Sequence, residues 1–182
     1  MFPLVVDLTD RPVVVIGAGK VGVRKAAQLL EAGALVTVIT DVVLAPVPDG
    51  VAALHIRSYR YGDLEGALLV VAATGDPDVN DRIVAEANER NILLNVVDDL
   101  SRSNFYFTAV HRDGDVIVSV STGGSSPALA QWVRNSVAKA LPRDLASVAR
   151  ALRAERSALH DAGESTENRE WMQRVNQLVD EL

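Results

Sequence analysis

Apolar positions along the chain follow two different rhythms. Continuous aliphatic runs at residues 12–16, 35–39, 68–73 and 92–97 predict strands buried on both faces, the habit of a parallel sheet, and residues 54–59 can form another. Between them the spacing turns helical. Val23, Ala26, Ala27 and Leu30 share one helical face ahead of a stop at Gly33, and Val79, Ile83 and Ala87 share another in a helix ending near residues 90–91. Residues 2–8 form a short leading segment, and residues 42–50, with two prolines, form a loop. Strand and helix alternating up to about residue 98 predict an α/β fold with a Rossmann-like, doubly wound parallel sheet.

Beyond residue 98 the pattern changes. Residues 104–110 and 115–121 are β-rich and flank His111-Arg112-Asp113-Gly114, whose Asp-Gly signals a hairpin. Ser126 is placed as N-cap and Pro127 as first residue of a helix running to about Leu141, where Pro142 breaks it. Amphipathic helices follow at 144–161 and 167–181, separated by residues 162–165. Three regions result: 1–100 as the nucleotide-binding sheet, 101–142 as a small β-hairpin region for dimerisation and substrate, and 143–182 as a C-terminal helical region. Trp132 and Trp171 belong to the core or to dimer contacts.

Composition narrows the chemistry. With 182 residues and 48% apolar content the chain can bury a full core. No apolar run is long enough for a membrane span, and no signal segment leads the sequence, so a soluble cytoplasmic protein is expected. The absence of cysteine removes disulfides and thiolate chemistry, and the scattered His55, His111 and His160 give no metal-ligand spacing, so no metal site is expected. A net charge of −6 argues against nucleic-acid binding.

The densest chemical signal is Gly17-Ala18-Gly19-Lys20-Val21-Gly22, a G-x-G-x-x-G turn that empties a strand into a helix. The first glycine permits the sharp turn, the second lets backbone approach a pyrophosphate, and the third packs helix on strand. Helix N–H groups there form an anion site. Past the second strand, Asp41, after Thr40, meets ribose hydroxyls or merely begins the following loop; no arginine stands there for a 2′-phosphate, which favours NAD over NADP. Thr74, Asp76 and Asn80 lie at the carboxyl end of the apolar 68–73 strand, where such sheets bind ligands. Asp98 ends the next strand, as an acid-base group, a substrate positioner, or a cap on a neighbouring N–H. Asp99 points to the other side if the strand continues. Ser121, Thr122, Gly123, Gly124, Ser125 and Ser126 offer hydroxyls, exposed N–H groups and a helix start suited to carboxylates, or form an ordinary capped helix start.

Four stretches together resemble the precorrin-2 dehydrogenase family, the NAD-dependent module of sirohaem synthases. They are Val15-Ile16-Gly17-Ala18-Gly19-Lys20-Val21-Gly22 with Arg24-Lys25-Ala26; Ala72-Ala73-Thr74-Gly75-Asp76-Pro77-Asp78-Val79-Asn80; Asn95-Val96-Val97-Asp98; and Val118-Ser119-Val120-Ser121-Thr122-Gly123-Gly124-Ser125-Ser126-Pro127. The likeness spans nearly the whole length and weakens after Pro142. It implies NAD-dependent oxidation of precorrin-2 to sirohydrochlorin in a homodimer whose second region interlocks between subunits, with Asp98 at the family's important aspartate. Asn95 and the 121–126 loop fall on the substrate side. Some relatives also insert iron, for which only carboxylates such as Asp98 are present here, and some carry a fused methyltransferase, for which no room is expected after residue 182. The chain departs from the family pattern at Asp99-Leu100, where many members have a short residue and proline. A tetrapyrrole polyacid bound by an acidic chain calls for a confined basic cleft, to which Arg102, His111 and Arg112 could contribute. From another class, an NAD-sensing regulatory module without catalysis would share the glycine turn, but would need only a dimerisation helix after residue 98.

Overall fold

The computed structural model describes residues 1–167 and 169–182, which pack as two compact units, Met1–Tyr106 and Phe107–Leu182. The regions expected from sequence break after residues 100 and 142; the packing divides once, after Tyr106. In the first unit β1 (Pro12–Ala18), β2 (Leu35–Val43), β3 (Ala53–Ile56), β4 (Leu69–Ala72) and β5 (Leu93–Val96) form one parallel sheet in the order β3-β2-β1-β4-β5. The chain starts at the centre, builds outward through β2 and β3, then crosses back to place β4 and β5 on the other side. The order reverses between β1 and β4, and ligands of open α/β sheets bind at the carboxyl ends of such a pair.

Alternation decides the layers. Val13, Val15, Val36 and Val38 are essentially fully buried, and α1 (Lys20–Glu31) packs on β1 and β2, burying Ala26 and Leu29. The opposite face gathers Val14, Ile16, Ile39, Val70, Leu94, and Ile83 and Ala87 of α2 (Pro77–Glu89). Each such aliphatic side chain contributes about 1.5–3 kcal/mol on burial.

Three features depart from expectation. First, β2 runs to Val43 instead of ending near residue 39. Gly17 breaks the register of β1, so that Ile16 faces Ile39 while Ala18 faces Val43. The buried Thr40 hydroxyl closes the gap, accepting from the Ala18 N–H at 3.1 Å and donating to the Val42 carbonyl at 2.7 Å. Second, only the β1–β2 and β4–β5 crossovers carry helices; β2–β3 is a loop, as residues 42–50 predict, and so is β3–β4. In the latter, Tyr59 and Leu64 fill the core where a helix would lie, and the loop is held from outside by Glu86 of α2, which is 1% exposed. Its carboxyl group accepts from the Tyr59 hydroxyl (2.5 Å), Gly62 N–H (3.0 Å), Leu64 N–H (3.4 Å) and Arg90 Nε (2.9 Å). Burial pushes the Tyr59 phenol well above its ordinary pKa, and the hydrogen bond to Glu86 adds to the shift. Glu86→Ala strands these buried donors and is expected to cost about 3–5 kcal/mol in urea denaturation, with no change in the slope. A loss under about 1 kcal/mol would show that the loop holds itself.

Third, the strand expected from residue 104 begins at residue 109. Asn104 is sewn to β5 instead: its Oδ1 accepts from Leu94 N–H at 2.7 Å, its Nδ2 donates to the Ile92 carbonyl at 3.1 Å, and its N–H donates to the Leu94 carbonyl at 2.9 Å. In the second unit β6 (Ala109–Asp113) and β7 (Val116–Val120) pair antiparallel, with Asp113 opposite Val116. The two-residue turn is therefore Gly114-Asp115, one residue later than the Asp-Gly signal suggests. Gly114 has φ +56°, the glycine-first pattern of a hairpin turn, and a Cβ there would lie 2.7 Å from the Ala146 Cβ.

α3 (Pro127–Ala140) packs on both strands, followed by α4 (Leu145–Asp161) and α5 (Trp171–Asp180). The predicted cap holds: Ser126 Oγ accepts from Leu129 N–H at 3.2 Å with Pro127 opening the helix. The last helix starts at Trp171 rather than 167; position 168 lies outside the described residues. Trp132 is 67% exposed on α3 and so is not core in this chain, whereas Trp171 Nε1 donates to the Thr166 carbonyl. Among the described residues no helix is long and apolar enough to cross a membrane.

Candidate functional site

The carboxyl edge of the sheet is organised by the glycine turn. Gly17 has φ +102°, and a Cβ there would fall 2.4 Å from the Ala73 carbonyl oxygen at the end of β4. At Gly22 a Cβ would meet the Gly17 carbonyl oxygen at 2.0 Å. Both positions must be glycine for the strand, turn and helix to close on one another. Gly19 is different: a Cβ there has nothing within 4 Å, and its φ of −78° suits any residue. Packing within the chain thus gives no reason for glycine at 19, while a group approaching from outside does.

Gly19 is also the N-cap of α1, with no side-chain cap and no acid in the first turn. The N–H groups of Lys20, Val21 and Gly22 point out of that end without helical partners. α2 shows the contrast: Asp76 caps it, accepting from Asp78 N–H at 2.9 Å and Val79 N–H at 3.2 Å. Lys25 lies further along α1, where burial draws its ammonium pKa down to about 8 and the charge of Arg24 adds to the shift.

The other residues expected to meet a nucleotide divide into free and engaged. Thr40 is engaged, its hydroxyl bracing the turn from behind as described. Asp41 lies within β2, exposed, and accepts from Ser58 Oγ at 2.6 Å. Thr74 Oγ1 accepts from Asp76 N–H at 2.9 Å, and Asn80 Nδ2 donates to the Thr74 carbonyl at 3.2 Å. Asn80 Oδ1 is buried with no partner among the described residues. Thr74, Asp76 and Asn80 together fix the turn after β4 against which Gly17 packs.

Asp98 stands at the same edge. Ile16, Ala72 and Val96 share one rung of the sheet, so Gly17, Ala73 and Val97 form the next and Asp98 follows. Two strand spacings, about 10 Å, separate the glycine turn from the Asp98 backbone. The strand does not continue through Asp98 and Asp99, so opposite-side placement fails for this pair. β5 ends at Val96, and Asp98 turns with φ +62° in the left-handed region, leaving an exposed carboxylate without a partner among the described residues.

Asp99 is turned into its own loop, accepting from Ser101 Oγ (2.7 Å), Ser101 N–H (3.1 Å) and Arg102 N–H (3.3 Å). The Ser101 hydroxyl, chiefly, holds its carboxyl below the usual carboxylate range. Arg102 ties the loop to Asp81 of α2, and Ser103 Oγ donates to the Asp99 carbonyl at 2.7 Å. Asn95 Nδ2 is likewise engaged, donating to the Phe105 carbonyl at 3.1 Å. This brace of Arg102, Ser103 and Asn104 was missed from sequence. Its only trace there is a cluster of turn-forming residues after Asp99.

In the second unit the Ser121–Ser126 loop uses three of its hydroxyl oxygens as acceptors but only one hydroxyl as a donor. Thr122 Oγ1 accepts from Ser126 N–H (3.2 Å) and donates to the Ser126 carbonyl (3.0 Å), Ser121 Oγ accepts from Gly123 N–H (3.2 Å), and Ser126 caps α3. Ser125 keeps a hydroxyl without a side-chain bond, while Gly123 and Gly124, at φ +63° and +83°, carry the loop's left-handed turn. Of the expected hydroxyl fringe only Thr122 spends its donor within the loop; the O–H groups of Ser121, Ser125 and Ser126 remain available beside the backbone at the α3 start.

A family model described as "Putative NAD(P)-binding" matches residues 4–109. The chain belongs to this NAD(P)-binding family. A second model, described as "Sirohaem biosynthesis protein central", matches residues 113–140. The siroheme synthase of Methylococcus capsulatus is 38% identical over 152 residues, covering 81% of this chain and 32% of that protein. That of Ectopseudomonas mendocina is 39% identical over 142 residues, covering 77% and 31%. The chain thus spans about a third of the length of these curated relatives. A solved structure of SirC, a precorrin-2 dehydrogenase, shares the fold with a TM-score of 0.74 at 24% identity, over 100% of this chain and 88% of that one.

The residues present fit the dinucleotide of an NAD(P)-binding chain. Gly19 leaves room that a Cβ would fill, and the uncapped start of α1 supplies N–H donors to a pyrophosphate.

Proposed function

We propose that this chain catalyses a cytoplasmic, NAD-dependent dehydrogenation of precorrin-2 to sirohydrochlorin. The observation that carries the reading is the union, on one chain, of an NAD(P)-binding region at 4–109 and a sirohaem-biosynthesis region at 113–140. When bound, NAD supplies the hydride acceptor. Gly17, Gly19, Gly22 and the N–H groups of Lys20 and Val21 hold its pyrophosphate. Thr40, Thr74, Asp76 and Asn80 keep that loop in shape, and Asp41 faces the ribose. Arg57, which follows β3 beside Asp41, is spent on Asp63 at 2.7 Å, leaving no free guanidinium there for a 2′-phosphate, which favours NAD over NADP.

Dehydrogenation also releases a proton, and Asp98 is the group to take it. Its carboxylate is exposed and has no partner among the described residues, so a substrate proton can reach it directly. The Asp99 brace holds the turn that presents it. Ser125 and the backbone of Gly123 and Gly124 meet substrate carboxylates at the start of α3. Exposed Leu129 and Trp132 on the same helix support a homodimer formed through the second unit. Iron insertion into the product falls to Asp98 as a lone carboxylate, since no three metal-ligating side chains converge among the described residues.

The test is to supply purified protein with precorrin-2 and NAD and follow NADH and tetrapyrrole absorbance together. Equimolar NADH and sirohydrochlorin are expected; adding ferrous iron asks for sirohaem in the same cuvette. NAD binding with no NADH above a protein-free control would mark a nucleotide sensor and overturn the enzyme reading.

A further inference from the structure

The proposed substrate is a polyacid, while the chain as a whole carries a net charge of −6. Positive charge is nevertheless concentrated in one stretch: residues 107–160 hold seven Lys and Arg against four Asp and Glu. Much of it lies along α4. At 100° per residue, Arg153, Arg156 and His160 fall within an arc of about 60°. They line a cavity of about 530 Å³ together with Leu152, Ser157 and, from the turn after α4, Thr166.

The ionic partners in this region show which charges remain unspent. Arg153 pairs with Asp115 of the hairpin turn at 2.8 Å. Glu155 is drawn away by Arg174 of α5, at 2.6 Å, and Glu164 by Arg169 at 3.3 Å. Arg156 and His160 have no hydrogen-bond or ionic partner among the described residues. Two unspent nitrogen groups and two hydroxyls over an apolar floor match the rim of a macrocycle, whose carboxylates need donors and whose ring edge does not. A nucleic-acid backbone would need a longer basic track than one cavity provides.

Resting on the proposed function for the identity of its ligand, we infer that the α4 cavity of the second unit is a polycarboxylate-binding site that takes acidic side chains at the tetrapyrrole rim through Arg156 and His160.

The probe is uroporphyrin, an octacarboxylate that NAD does not oxidise further, titrated by fluorescence into the full chain. Wild type is expected to bind it more tightly than the tetracarboxylate coproporphyrin. Arg156→Ala combined with His160→Ala should weaken uroporphyrin by about 10-fold or more, with helix content and NAD affinity unchanged. Arg156→Lys alone should retain most of the affinity, and Arg150→Ala, on the same helix outside the cavity lining, should stay within about twofold. No uroporphyrin binding by wild type, or equal binding by the double variant, overturns the site. Displacement by tripolyphosphate at equal concentration overturns the carboxylate assignment. Precorrin-2 turnover measured in parallel separates the two proposals. A double variant with unchanged KM leaves the enzyme standing without this site, whereas lost probe binding in a chain that never makes NADH leaves the site standing without the enzyme.

Discussion

Gly19→Ala should melt near the wild-type temperature yet bind NAD at least about 10-fold more weakly. The added methyl has nothing of the protein within 4 Å and an ordinary φ, so the fold loses only the small preference of glycine over alanine at an N-cap, within about 1 kcal/mol. It does occupy the space through which a pyrophosphate reaches the α1 N–H groups. Gly22→Ala is the mirror case. Its methyl would sit 2.0 Å from the Gly17 carbonyl oxygen, so α1 must shift off β1, at a cost of about 3 kcal/mol. Thermal denaturation and NAD calorimetry on both variants separate the two roles. Wild-type affinity in Gly19→Ala would remove the phosphate-loop assignment even if Gly22→Ala unfolds as expected.

Asp98→Asn should lower turnover of precorrin-2 by about 100- to 10,000-fold, the usual worth of a positioned general base, while NAD affinity and melting temperature hold. Asparagine tolerates the left-handed backbone that Asp98 adopts, so the turn survives and only proton acceptance is lost. Asp99→Asn is the comparison. It weakens the cap on Ser101 and Arg102, and should act through a looser loop, raising KM and lowering stability together. Equal losses of kcat in the two variants, or unchanged turnover in Asp98→Asn, would deny Asp98 its special place.

The strands, the glycine turn and the cap of α3 were legible in the sequence because each is a local bargain. Val13 to Ile16 are aliphatic because both faces are covered, and Ser126 caps a helix whose first residue is the proline beside it; the like role of Asp76 at α2 came only with the structure. What escaped depends on partners far along the chain. The lengthening of β2 to Val43 follows from a register jump at Gly17 on a neighbouring strand. The early β-pattern at 104–108 was overridden by Asn104 bonding back to Leu94 and Ile92. Period-two reasoning separated Asp98 from Asp99 by face, but the chain separates them by a left-handed turn, which leaves one carboxylate free and spends the other. In the Ser121 to Ser126 loop, spacing cannot show that Thr122 donates back to the Ser126 carbonyl and so drops out of the row of donors, while Ser121 only accepts.

The Glu86 anchor also bears on the order in which the first unit can assemble. The loop joining β3 to β4 contains Tyr59, but the group that fixes Tyr59 belongs to a helix 27 residues later. During synthesis β1, α1 and β2 can close on one another as soon as they emerge, since the β1–β2 crossover is local. The β3–β4 passage must wait for α2, with Leu64 and Tyr59 uncovered meanwhile. Such non-local closure slows folding and prolongs exposure of sticky surface. In a nascent chain, the interval between the emergence of residue 59 and residue 86 is therefore when a chaperone would have most to protect.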